Sequence, residues 1–423
     1  RAGKPHRLKE ENAMDSQNVM FRDPAAEEFD QNRVLANARQ QAIRRRYEDL
    51  FIVDVDAHHY ESDHYDEILT YIESPTLRNE IRYQGWGRNG VATPDGTYQN
   101  MGGRISRLTG RLTEKAPAGI HRDISLTKRW MDAMGIDSIC LFPTPMLTLG
   151  AVPRKEVEIG IARAYNRWLV EKVLAGEPRI RSMLYLPFND PAASIKCVED
   201  FGDKPGVIGF MVTAPHRRGV FENDYMPLYA MLQERNLPLA FHGSYTWHEQ
   251  TFATFNRFIT VHALGFSFFN MAHLANWVIN ALPERFPKLK VIWIESGLAW
   301  VPFLMQRIDN EYMMRTSEAP GLKRKPSEYM REMYYTSQPM EMVDNLEALQ
   351  LTFKMINAET QLLYASDYPH WDMDLPSTIY DLPFLSEQAK RNILGLNAQR
   401  LFNLEAVYSE EKLARRAARA AAQ

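Results

Sequence analysis

Eight short apolar runs, with helical stretches between them, restrict what this chain can fold into more than any other feature. FIVDVDA (51–57) is followed by SICLF (138–142), SMLYLPF (182–188), VIGFMV (207–212) and LPLAFH (237–242), then by VIWIES (291–296), MYYTS (333–337) and LLYAS (362–366). Several are almost continuously apolar, as strands of a parallel sheet covered by helices must be. Between them, residues 155–175, 224–235, 270–284 and 299–314 space their apolar positions as helices do. Eight strands alternating with helices imply an α/β chain folded as a closed (β/α)8 TIM barrel rather than an open doubly wound sheet. The stretch at about 60–126 is too long for an ordinary loop and reads as an insertion after strand 1, lying over the barrel mouth.

The ends differ from the middle. Residues 1–48 form a polar arm whose Arg44, Arg45 and Arg46 read as a solvated helix face or an oligomer contact. The barrel occupies 49–405, and a tail at 406–423, ending SEEKLARRAARAAAQ, reads as a helix packed on the outside or on a neighbour. With 50 Lys and Arg against 53 Asp and Glu, nothing favours nucleic acid or an acidic membrane as the main partner. Cys140 and Cys197, the chain's two cysteines, are too few for a disulfide framework or a thiolate zinc site. No apolar run approaches the ~20 residues of a membrane span, and RAGKPHRLKEENAMDSQN lacks a signal-peptide core. The expectation is a cytoplasmic enzyme, assembled as a homo- or hetero-oligomer. GWGRNG (85–90) matches a dinucleotide fingerprint, but no strand precedes it and no helix follows, so it reads as a loop.

Side chains at the carboxyl ends of barrel strands converge on one mouth. Strand one ends Asp54-Val55-Asp56-Ala57-His58-His59-Tyr60-Glu61, strand five in His242, strand six in Glu295 and strand eight in Asp367. Alternation puts Asp54, Asp56 and His58 on one face. A single histidine at a strand end is ordinarily a hydrogen-bonded structural residue, and a single carboxylate there often caps a helix. Four strand ends carrying ligand types together exceed what capping explains. Nitrogen and oxygen donors without sulfur suit a divalent ion such as zinc, manganese or iron.

These residues carry a family resemblance over roughly 50–405. VDVDAHHYE (53–61), MDAMGIDSICLFPTP (131–145), LYLPFNDPAASI (184–195), LPLAFHG (237–243), LPERFPKLKVIWIESGLAWVPFLMQRID (282–309) and LYASDYPH (363–370) resemble, in order, the amidohydrolase-related family. The match is to the branch of the amidohydrolase superfamily that includes aminocarboxymuconate-semialdehyde decarboxylase-like enzymes. The resemblance implies metal ligands at Asp56, His58, His242 and Asp367. It also marks a departure, because those decarboxylases carry a catalytic histidine where this chain has Glu295.

Other candidates crowd the same region. His59, Glu61, His262 and Glu295 are candidates for a second ion or for orienting the first, while ordinary hydrogen bonding is the favoured role for His370. In the insertion, Arg104 and Arg107, with Arg111, Lys115 and Arg122 nearby, are candidates to clamp a substrate carboxylate. The leading expectation is a metal-dependent hydrolase or non-oxidative decarboxylase of a small carboxylate-bearing molecule, with Asp367 or Glu295 handling the proton. Against it stand a dinuclear iron or iron–manganese oxygenase, with two ions per chain, and an assembly subunit of a hetero-oligomer.

Overall fold

In the computed structural model the eight apolar runs are eight parallel strands: β1 (Val53–His59), β2 (Ser138–Pro143), β3 (Ile180–Tyr185), β4 (Val207–Thr213), β5 (Leu239–His242), β6 (Val291–Ile294), β7 (Tyr334–Thr336) and β8 (Leu362–Leu363). Neighbours in sequence are neighbours in the sheet. The structure describes residues 31–85, 116–246, 249–341, 345–370 and 372–421. The sheet closes where the chain beyond β8 meets β1. The Val55 amide donates to the Tyr364 carbonyl at 2.9 Å, that of His58 to Tyr368 at 2.7 Å, and that of Asp367 to Asp56 at 2.7 Å. The chain is a (β/α)8 barrel.

Alternation along the strands divides the work between two layers. On β5, Phe241 points to the helical layer, 5.9 Å from Trp277 between ring centroids and stacked on Trp293 at 4.8 Å. Its neighbour His242 points to the barrel mouth and is fully buried. Full burial of β1, β2 and β5 explains why their sequences read as unbroken apolar runs apart from the chemistry-bearing residues.

Helices Lys155–Lys172, Pro191–Phe201, Met226–Glu234, Phe258–Ile279, Trp300–Met314 and Leu346–Met355 follow β2 to β7 in turn. Local chemistry sets their ends. Asp190 caps the second, accepting from the Ala193 amide at 2.9 Å, with Pro191 in the first turn where no amide partner is needed. Helix Arg122–Met134 stops at Gly135, whose φ of 74° is the left-handed value glycine adopts without strain.

The described part of the expected insertion packs on the barrel flank. Helices Tyr65–Thr70 and Pro75–Gln84 lie beside Lys155–Lys172, tied by Tyr71 to Glu171 at 3.0 Å and Lys172 to Glu67 at 3.4 Å. Gly85, first residue of the fingerprint-like GWGRNG, ends the second of these helices at φ 70°. A helix, and no strand, therefore precedes that motif. Arg104, Arg107, Arg111 and Lys115 lie outside the described residues.

Both terminal extensions contain a helix packed on the barrel. Helix Gln31–Arg44 buries Leu35, Ala38 and Ala42. Of the arginine triplet, Arg45 binds Asp381 at 2.8 Å and Arg46 pairs with Asp49. Helix Glu410–Ala420 docks through Lys412, whose ammonium pairs with the buried Asp137, and through Arg419, 2.8 Å from Asp49. Among the described residues, no helix is long and apolar enough to cross a membrane.

Candidate metal centre

Asp56 and His58 on β1 meet His242 from β5 and Asp367 from the turn after β8. His58 Nε2 lies 3.2 Å from Asp56 Oδ1 and 3.2 Å from Asp367 Oδ1. His242 Nε2 lies 3.1 Å from the same Asp56 oxygen. Glu295, just beyond β6, brings its Oε2 to 3.5 Å from His242 Nδ1 and joins Asp56, His58 and His242 in one buried donor group. Asp54, expected on the same face, stays out of it. Its carboxylate is taken by Ser366 and by the Asp56 amide, and the β1–β2 pairing shifts register between Asp54 and Ala57.

The turns at the strand ends make this convergence possible. Glu295 and Asp367 both have positive φ, 50° and 58°, which swings the chain inward at the mouth. Beside Glu295 stands Gly243; a Cβ there would lie 2.0 Å from the Glu295 carbonyl oxygen, so only glycine permits this approach of β5 to β6.

Hydrogen bonds fix which atoms face the centre. His58 Nδ1–H donates to the Pro143 carbonyl at 3.0 Å, and His242 Nδ1–H to the Gly243 carbonyl at 2.9 Å. In the neutral rings this leaves the Nε2 lone pairs of both histidines turned toward Asp56 Oδ1. Three acceptors facing one another at about 3 Å repel unless a cation, a proton or a metal ion, lies among them. Asp56 Oδ2 has no hydrogen-bond partner although it is buried. The donor set therefore fits a divalent ion.

Electrostatics point the same way. Burial raises the Asp56 carboxyl, but charge and hydrogen bonding from His242 and His58 outweigh it and hold the group below the usual carboxylate range. Burial, aided by His370, lowers His58 and favours its neutral, ligating form. Asp367 is held at both oxygens: His370 Nδ1–H donates to Oδ1 at 2.6 Å and Gln338 Nε2–H to Oδ2 at 3.2 Å. His370 also stacks on His58 with centroids 4.3 Å apart and reaches Thr144 Oγ1 at 3.1 Å. Gln338 was not foreseen; a single glutamine in a loop after β7 carries no pattern that marks it.

The other candidates lie elsewhere. His59, on the opposite face of β1 from His58, binds Asp123 through Nδ1 at 2.7 Å and Tyr165 through Nε2 at 2.8 Å. Glu61 clamps the chain after β2, accepting from the Thr144 amide at 2.8 Å and the Met146 amide at 2.7 Å. Burial pushes Glu61 up to about 8 against those two bonds. His262 belongs to an aromatic cluster, 4.8 Å from Phe266 and 5.8 Å from Tyr245. Arg122 lies 3.0 Å from Asp63. Of the four residues proposed for a second ion, Glu295 is the one within the donor group.

A barrel carrying this donor group at its mouth is built as a metalloenzyme. The Amidohydrolase family model matches residues 120–404, and the chain belongs to that family. It is 25% identical to a gamma-resorcylate decarboxylase of Rhizobium sp. (strain MTP-10005) over 312 residues, 67% of this chain and 89% of that protein. A gamma-resorcylate decarboxylase of Rhodococcus jostii is 20% identical over 268 residues, covering 60% and 80%. A solved 5-carboxyvanillate decarboxylase of Novosphingobium aromaticivorans, complexed with manganese and a nitrobenzoic acid, superposes with a TM-score of 0.63 at 18% identity, over 84% of this chain and 97% of that one. The family match begins beyond β1 and does not cover Asp56 and His58.

Proposed function

We propose that this protein is a metal-dependent, non-oxidative decarboxylase of a small aromatic carboxylate, working at the group formed by Asp56, His58, His242 and Asp367. The convergence of their donor atoms from β1, β5 and the end of β8 carries the reading. Decarboxylation, rather than hydrolysis, is supported by the relatives, gamma-resorcylate decarboxylases matched over most of their length. Asp56, His58 and His242, with Asp367 and Glu295 beside them, would hold a divalent ion, which would supply Lewis acidity toward a substrate oxygen. Zinc, manganese and iron all suit these donors.

The chain's own residues do the rest. His370 and Gln338 hold the Asp367 carboxyl in one orientation, so a proton on it is presented from a fixed position. Asp367 delivers its proton to the ring carbon that bears the carboxylate, making the new C–H bond. The bond from that carbon to the carboxylate then breaks, its electron pair returns to the ring and carbon dioxide leaves. Full burial of Asp56, His242 and Asp367 keeps bulk water from competing as the proton source. The test is carbon dioxide release from a panel of hydroxybenzoates by protein loaded with manganese or zinc. Release that needs the ion supports the proposal; no release from any member, with oxygen uptake instead, would overturn it.

That second outcome belongs to the oxygenase reading, favoured by the position of Glu295. A carboxylate within the donor group, where the resembling decarboxylases have a histidine, adds an anionic oxygen suited to iron.

A further inference from the structure

A second group of ligand-type side chains lies outside the mouth. One ring nitrogen each of His64 and His121 and one carboxylate oxygen of Asp123 lie within 4.8 Å of one another. They come from two elements far apart in sequence: His64 ends the short turn Glu61–His64, and His121 and Asp123 open helix Arg122–Met134. We propose that these three residues form a separate site for a borderline divalent transition-metal ion such as zinc.

The surroundings orient Asp123 and His64, while His121 Nδ1 accepts from the Asp123 amide at 3.2 Å. Asp123 is nearly buried and is oriented from behind, since His59 Nδ1–H donates to its Oδ2 at 2.7 Å while Tyr165 fixes the other His59 nitrogen at 2.8 Å. That leaves Asp123 Oδ1 facing His64 Nε2 at 3.0 Å, a hydrogen-bond distance that would open by about 0.3 Å to admit a tetrahedral ion. His64 Nδ1 lies 3.9 Å from the Glu67 carboxylate, a nearby negative charge but beyond hydrogen-bond distance. Trp168 walls one side: its ring lies 5.2 Å from His64, 5.5 Å from His121 and 5.9 Å from His59. His64 and His121 remain partly exposed, which gives an ion a way in.

The His64 and His121 rings are 4.8 Å apart with the Asp123 carboxylate within reach of both, so one ion seated among them would be shared by all three. Two nitrogens and one oxygen leave a fourth position for water. The site does not depend on the decarboxylase proposal, because none of its three ligands belongs to the mouth.

The experiment measures cobalt bound per full-length chain, using cobalt(II) as a spectroscopic stand-in for zinc. Wild type is compared with His64→Ala, His121→Ala and the mouth variant His242→Ala. The expected result is one fewer tightly bound ion in each of the first two variants, with the mouth ion retained. Identical stoichiometry and absorption spectra in wild type, His64→Ala and His121→Ala would overturn the proposal. Zinc anomalous scattering from wild-type crystals decides the same point without a variant: a peak between His64, His121 and Asp123 is expected, and its absence in zinc-soaked crystals contradicts the site.

Discussion

The carboxylate of Asp54 binds Ser366 twice, taking its amide at 2.9 Å and its hydroxyl at 2.5 Å. The same Oδ1 accepts the Asp56 amide at 3.1 Å. One buried side chain thus ties the first strand to the end of the last and sets the backbone that carries both Asp56 and Asp367.

Replacing Asp54 therefore disturbs the mouth without touching any ligand. Asp54→Ala leaves buried donors on Ser366 and Asp56 unpaired, at a cost of about 1–3 kcal/mol for each such group. The expected outcome is a lower thermal midpoint together with weaker metal binding, followed by metal titration of the folded variant. Unchanged metal affinity would show that Asp56 and Asp367 hold their places independently.

Asp367 has a different signature. Asp367→Asn keeps its shape and removes the transferable proton, so turnover is expected to fall by about 10²–10⁴ with little change in substrate affinity. Steady-state kinetics on the metal-loaded variant check this. Loss of affinity with kcat preserved would assign Asp367 to binding alone.

Glu61 makes stability depend on pH. Burial raises its folded-state value to about 8, well above the ~4.3 of an exposed glutamate. A carboxyl raised on folding binds its proton more tightly in the native state. The stability it contributes is present at low pH and is lost as pH climbs from near 4 through 8. The thermal midpoint of wild type should therefore fall across that window, and Glu61→Gln should flatten the fall. Equal slopes for the two proteins would remove Glu61 as its source.

The eight strands were legible because burial on both faces demands continuous apolar runs, and each run fell on or beside a strand, as FIVDVDA does on β1. Parts of the mouth were legible for the related reason that polar residues closing such runs, His242 above all, have nowhere to point but inward. Asp54 shows where alternation alone fails: it reads as a neighbour of Asp56 and His58, yet a register shift and Ser366 take its carboxylate. Gln338 and the His64–His121–Asp123 group were not legible. Their partners lie 29 and 59 residues away along the chain, and no local pattern records such contacts.

If Asp56 and His242 hold the proposed ion at the barrel mouth, removing both removes it. Elemental analysis of the Asp56→Asn/His242→Ala double variant, beside wild type purified without chelator, tests this most directly. One ion fewer per chain is expected in the double variant, lost together with activity, while its far-ultraviolet circular dichroism still shows a folded barrel. Equal metal content in the two folded proteins would contradict it.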